Sequence, residues 1–522
     1  MHRLSRRSSG VLAVVVLVAV AAVAGLVASR GTSAHEPSHE TAQSTAQNVL
    51  SLSVSNRTTG RRIPAGFLGL SLEYTAIEPY AGTDPKAINP VLVQLIRNLS
   101  PNQPANLRIG GDSTDWVWWP VPGATKPGGV RYALNNRFIK VTAALAHDVG
   151  AKLILGIDLE MDSTTDAAAE ANALVQGIGP SSIQALELGN EPELYGSFTW
   201  YTNKSGVHVH GRPLDYDFSD YLSDFSRIGK ALPADVALAG PATGGPRYIP
   251  ELGSFLPAEP RVQVATLHRY PLQQCYIAPS APQYPSVAHI LAPSASEGLA
   301  NSIAPYVGVA HARHVSLRID EMNTVSCGGA PGVANAFVSS LWALDASFQM
   351  ARVGVDGVNF HTYPKAPYEL FTFKRVHGKW QGDVAPEYYG LLMFAQAAPP
   401  GSSLLRLSGS LGDVRSWATR APDGTVHIVL INDDTAQSHT VAVRVPVAAA
   451  GQPAALELLR GKGISATTGV TLGGQTFGTA TKTGALSGRS TVTNVTATNG
   501  AYVVRVPQAS AAMLTLTPAP AG

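Results

Sequence analysis

Ile183-Gln184-Ala185-Leu186-Glu187-Leu188-Gly189-Asn190-Glu191-Pro192-Glu193 is a mostly apolar run that ends in a glycine, an amide and two acids. A short run of this kind reads as a buried parallel strand, so Glu191 emerges at its C-terminal end. Val315-Ser316-Leu317-Arg318-Ile319-Asp320-Glu321-Met322-Asn323 repeats the arrangement and puts Glu321 just past a second such run. In barrel enzymes, side chains at strand C-termini converge on one face.

Working outward, eight runs read as strands: 67–74, 106–110, 152–159, 185–189, 236–240, 264–267, 315–319 and 357–360. Helical periodicity falls between them, at 136–149, 166–175, 219–232, 298–309 and 333–352. Strand and helix in alternation imply a parallel sheet, and eight units close a (β/α)8 TIM barrel, which we place at 66–398. The competing doubly wound open sheet lacks its mark, since no G-x-G-x-x-G follows an early strand. Past Pro399-Pro400-Gly401 the pattern changes to short Val, Thr and Leu runs broken by Gly, Asn and Asp, as at 426–431, 440–445 and 502–506. Residues 399–522 therefore read as a C-terminal all-β sandwich domain. The segment 49–65 reads as strand and turn and is free to pair with it.

The chain is 45% hydrophobic and 14% charged, which excludes disorder as its dominant state. A net charge of +2 with no basic stripe excludes a general nucleic-acid binder. Arg3, Arg6 and Arg7 precede an apolar run at 11–27 and then small residues, so 1–34 reads as a signal peptide of a secreted protein. The same run reaches the lower limit of about 17 residues for a membrane span, so an uncleaved anchor is the alternative. Residues 35–48 are polar and read as a flexible linker. In an exported chain the only two cysteines, Cys275 and Cys327, are expected either to bridge or to remain two inert thiols.

Glu191 and Glu321 suit the two tasks of glycoside hydrolysis: one carboxyl protonates the leaving oxygen, the other attacks or orients water from the opposite face. On the barrel reading they end strands four and seven. Glu191 would be the acid/base, with Asn190 beside it for a sugar hydroxyl, and Glu321 the nucleophile. The bland alternatives are a solvated surface glutamate and an ion pair with Arg318.

Three blocks together resemble glycoside hydrolase family 79, the β-glucuronidase and heparanase-like family, within the clan of retaining (β/α)8 glycosidases. They are Leu186-Glu187-Leu188-Gly189-Asn190-Glu191-Pro192-Glu193, Leu107-Arg108-Ile109-Gly110-Gly111-Asp112-Ser113-Thr114-Asp115 and Asp320-Glu321-Met322-Asn323-Thr324-Val325-Ser326-Cys327-Gly328-Gly329. The Asn-Glu-Pro motif is shared across the clan, so the combination is what is specific. The resemblance implies a retaining exo-acting β-glucuronidase with a covalent intermediate on Glu321, no metal and no cofactor. Its carboxyl groups would stand about 5 to 5.5 Å apart. It further implies that Glu73 and Asn190 bind sugar hydroxyls, that Tyr270 bonds the nucleophile, and that Ser326, Gly328 and Tyr363 meet the uronic carboxylate. The family also carries a tyrosine where Ser326 stands.

The partner expected is a carbohydrate containing glucuronic acid, with no nucleic acid and with a membrane only through an uncleaved N-terminus. Trp116, Trp118 and Trp119 read either as a sugar platform or as buried packing. His268, Arg269 and His361 read either as groups that orient a carboxylate or as local hydrogen-bond partners. Two rival readings remain: a retaining glycosidase for a neutral sugar, and a non-catalytic carbohydrate-binding protein on the same barrel.

Overall fold

The computed structural model describes residues 49–446 and 452–518. The expected signal peptide and the whole of the expected linker lie outside them. No helix among the described residues is long and apolar enough to cross a membrane.

Eight parallel strands close a barrel in chain order: Leu68–Glu73, Asn106–Gly110, Lys152–Ile157, Ile183–Leu188, Leu238–Thr243, Val262–Arg269, Ser316–Met322 and Gly357–Thr362. The last pairs with the first, from Val358↔Leu68 to Thr362↔Leu72. Four of the surrounding helices start on side-chain caps that meet otherwise unbonded N–H groups: Asn89, Asn135, Ser163 and Asp217. Pro90–Leu99 shows why such a segment is helical, for Val91, Leu92, Leu95, Ile96 and Leu99 fall on one buried face at spacings of three and four.

The C-terminal β domain is sandwich-like, but it is one continuous curled sheet rather than two separate ones. Its path runs Thr471–Leu472, Pro453–Arg460, Ser510–Leu516, Val426–Asn432, Val414–Arg420, Ser403–Ser410, Leu50–Thr59, His439–Arg444 and Tyr502–Val506. Leu52, Val54, Ile428, Val443, Val504 and Leu514, drawn from all along this path, share one core, so the sheet folds over onto itself. The N-terminal strand Leu50–Thr59 sits inside it, antiparallel to Ser403–Ser410 and parallel to His439–Arg444.

Two helices buried on nearly every side, Val338–Val353 and Pro386–Ala397, lie between barrel and β domain. The N–H groups of Phe337 and Val338 at the start of the first donate to Ala466 O and Ile464 O of the β domain, at 2.8 and 2.9 Å. This is why the helix begins at 338 and not at the expected 333. Its Phe348 stacks on Trp417 at 5.3 Å and meets Phe394 edge-on at 4.9 Å, so the core is continuous across the junction.

Two other boundaries differ for local reasons. The fifth strand runs to Thr243, past Gly240-Pro241, with a register shift where proline has no N–H to give. The expected helix 298–309 is broken into Leu299–Asn301 and Ala304–His311, with Pro305 in the first turn of the second piece. A hairpin at Phe371–Val376 and Lys379–Val384 had not been expected. Its two-residue turn is His377-Gly378, both at positive φ, a hairpin signal present in the sequence.

Candidate active site

The barrel's C-terminal face is organised around Arg108, which is wholly buried on the second strand. Its Nε donates to Glu187 Oε2 at 2.6 Å and lies 3.1 Å from Asp320 Oδ2. One terminal nitrogen reaches Glu321 Oε2 at 2.6 Å and the other Asn190 Oδ1 at 2.9 Å. Gly110 makes room, since a Cβ there would lie 2.9 Å from Arg108 Nε. Buried charges persist only when paired in this way. Glu187 and Asp320 form a coupled pair. Burial works against both charges, but the Arg108 charge holds Glu187 below its ordinary value, and burial with the Glu187 charge holds Asp320 well above its own.

Glu321 receives the strongest set of partners. The Tyr270 hydroxyl donates to Oε1 at 2.8 Å, and His361 Nδ1 lies 3.7 Å from Oε2. Burial alone would raise its pKa, yet the positive charge of His361, His268 and Arg108 with the Tyr270 bond holds it well below the carboxylate range. It is an anion at any ordinary pH.

Glu191 stands differently. It sits in the left-handed region at φ +48°, its N–H donating to Ala242 O at 2.9 Å, just before the short turn Pro192–Leu194. For a residue with a Cβ this conformation costs about 1–2 kcal/mol, and strain of this kind gathers at functional sites. Its Oε1 accepts from His268 Nδ1 at 3.0 Å. Burial would lower His268, but Glu321 and Asp320 bring it up to about 9, so the ring is cationic. An oxygen of Glu191 and one of Glu321 lie within 4.8 Å of each other. The neighbour Glu193 folds away, bonded to the N–H groups of Gly244 at 3.0 Å and of Gly245.

The other sequence candidates fall in three places. Asn190 gives its oxygen to Arg108 and turns its amide NH2 toward Asp112 Oδ1 at 3.4 Å, on the cleft. Glu73 is committed to the loop after the second strand, accepting from the N–H of Asp112 at 3.2 Å and of Ser113 at 2.8 Å, with His361 Nε2 at 3.5 Å. A Cβ at Gly111, φ +70°, would collide with its carboxylate. Gly328 and Tyr363 are brought together, since a Cβ on Gly328 would sit 3.5 Å from the Tyr363 hydroxyl. Ser326 lies on a two-residue strand paired with Leu272–Gln273, its hydroxyl turned toward Leu272 O at 3.4 Å.

Cys275 and Cys327 are bridged, with Cα atoms 6.3 Å apart, tying the loop after the sixth strand to the loop after the seventh. Arg269 turns away to the Ser302 hydroxyl at 3.0 Å. Trp118 is buried and Trp119 packs partly against the barrel core, which favours the packing reading for both.

Sequence reasoning missed Arg108, Asp112 and Tyr368. Asp112 faces the open cleft, but the protein enclosing it, then the charges of Glu73, Glu191 and Glu321, push its carboxyl up to about 8. Tyr368 stacks edge-on to Tyr363 at 5.7 Å and lies 6.3 Å from Tyr270, closing an aromatic wall. Among the described residues, Glu191, His268 and Glu321 are the group whose ligand atoms lie close enough to touch one metal ion. Arg108 and the cationic His268 already supply the positive charge there, so the donor set does not fit a cation.

Residues 416–513 match the family model for the glycosyl hydrolase family 79 C-terminal beta domain. No curated protein matches the chain. Among solved structures, it is similar to a 4-O-α-L-rhamnosyl-β-D-glucuronidase from Fusarium oxysporum 12S, at 17% identity and TM-score 0.62, over 90% of this chain and 100% of that one. It is similar also to family 51 arabinofuranosidases from Xanthomonas axonopodis pv. citri, at 15% and 0.62, and from Thermotoga petrophila RKU-1, at 14% and 0.62. Each comparison covers 90% of this chain and 100% of that one. At such identities these structures share its fold. What the family 79 model matches is this C-terminal β domain.

Proposed function

We propose that this glycoside hydrolase is a retaining, exo-acting β-glucuronidase, with Glu321 as nucleophile and Glu191 as acid/base. The observation that carries the reading is the approach of the two carboxylates to within 4.8 Å, one of them held ionised by Arg108, two histidines and Tyr270. That spacing suits direct attack, because an inverting pair needs roughly 6.5–9.5 Å to admit a water between. Glu321 would attack the anomeric carbon while Glu191 gives its proton to the departing oxygen. The ester on Glu321 would then be opened by a water that Glu191 deprotonates. Asn190 Nδ2 and Asp112 face the cleft where ring hydroxyls would lie. The uronic carboxylate would rest between the Gly328 backbone, which bears no side chain to hold it off, and the Tyr363 hydroxyl. The bridged cysteines support action outside the cytoplasm.

The test is hydrolysis of 4-nitrophenyl β-D-glucuronide and β-D-glucoside by wild type and Glu321→Gln. We expect glucuronide cleavage by the wild type to exceed glucoside cleavage at least a hundredfold, roughly what losing a charge-assisted pair of hydrogen bonds costs. Equal rates would refute the uronic assignment, and an unimpaired Glu321→Gln enzyme would refute the mechanism.

A further inference from the structure

Most large apolar side chains of the described residues are buried, and three of the exceptions gather at the barrel's C-terminal face: Phe198 at 44% exposure, Leu214 at 83% and Tyr276 at 81%. They come from two loops, those after the fourth and sixth strands. Phe198 and Tyr276 meet across the gap with ring centroids 5.7 Å apart, tilted by 45°. Leu214 lies at the base of the first loop, its Cα 3.4 Å from where a Cβ on Gly196 would stand.

Both rings are held in place. Phe198 N–H bonds Leu194 O at 2.8 Å, four residues after a turn that starts at Glu191. Tyr276 takes the left-handed conformation at φ +65°, next to bridged Cys275, and the adjoining Gln274 side chain donates to Gly329 O at 2.7 Å. Unburied rings on a tethered loop, one at a strained backbone position, are costly for packing alone.

We propose that Phe198 and Tyr276 form the platform for the leaving-group sugar. The inference rests on the assignment of Glu191 as acid/base. An acid must stand against the departing oxygen, so the leaving group lies along the loop that carries Glu191, and this loop runs directly to Phe198. A pyranose offers an apolar face of C–H groups, which the electron-rich face of an aromatic ring accepts. The ligand class is therefore a glycan whose first unit beyond the cleaved bond is a pyranose, bound by stacking with no charge required.

The test compares kcat/KM on methyl β-D-glucuronide, whose leaving group has no ring, with that on a β-D-glucuronosyl-(1→6)-D-galactose disaccharide. In Phe198→Ala and Tyr276→Ala the ratio of disaccharide to methyl glycoside should fall about tenfold, the factor that a contact of ~1.4 kcal/mol makes. The side chains are exposed, and an unchanged Tm would show the fold intact. A wild type active on both substrates with an unmoved ratio in the variants overturns the platform alone. A wild type active on neither overturns the β-glucuronidase reading and this inference with it. A wild-type dimer that the double variant converts to monomer by sedimentation assigns the patch to a second copy of the chain, and overturns it as well.

Discussion

Replacing Arg108 with Met would separate the roles of the buried charges, because Met fills similar volume and carries no charge. The guanidinium has zero exposure and faces Glu187, Asp320 and Glu321 at 2.6, 3.1 and 2.6 Å. Breaking a buried pair by removing one partner costs about 3–5 kcal/mol. That is the loss expected at pH 8, where the variant must bury Glu187 and Glu321 without it. The size should depend on pH. In the wild type Glu321 titrates below its unfolded value, so its contribution is present above about pH 4 and lost as pH falls through the folded pKa. In the variant Glu187 loses the charge that most lowers its carboxyl, and burial then holds it above its unfolded value, so the folded state binds the extra proton and stability drops as pH rises. The slope is about 1.4 kcal/mol per pH unit for each proton retained. Urea unfolding at pH 5 and pH 8 reads both, and the gap between variant and wild type should widen at pH 8. An equal gap at both pH values, or one under about 1 kcal/mol, would refute the network. The acid limb of kcat/KM should also move upward in the variant, since Glu321 would hold its proton to higher pH.

Arg415 is the matching test at the junction of the two domains. It joins Asp345 of the buried helix to Asp433 of the β domain, the latter with Nε at 2.5 Å, and Arg415→Met should cost about 3 kcal/mol in urea unfolding. A cost below about 1 kcal/mol would mean that the apolar core alone joins the domains. The Cys275–Cys327 bridge closes a separation of 52 residues, for which loop entropy sets an upper stabilisation of about 4 kcal/mol. Protein purified without reductant should show no free thiol on alkylation and mass spectrometry, and Cys327→Ser should lower the urea midpoint. Two alkylated cysteines in that material would refute the bridge.

The barrel was legible because burial on both faces makes each parallel strand a short apolar run, and each run here ends at a glycine, proline or polar residue. The β domain was legible by composition, and that 49–65 could join it followed from its place before the first barrel strand; which strands it joins was not legible, because Leu50–Thr59 finds its partners more than three hundred residues away, a pairing no local pattern records. Glu191 and Glu321 stood out as acids at the ends of such runs. Arg108 did not, although the same reasoning reaches it. Asn106–Gly110, Ile183–Leu188 and Ser316–Met322 each carry charge inside an otherwise apolar strand, and such charges must find one another in the barrel.

What separates the two glutamates is then not the residues beside each in sequence. Asn190, read first as a partner for a sugar hydroxyl, is also anchored by Arg108 through its oxygen and does not bond Glu191. The difference comes from where cations fall across the barrel. Arg108 from the second strand and His361 from the eighth both face Glu321, while His268 from the sixth bonds Glu191. Glu321 therefore stays ionised, while Glu191 keeps a single cationic neighbour at hydrogen-bond distance. That asymmetry needs three strands far apart in sequence, so it could be seen only once the barrel was closed.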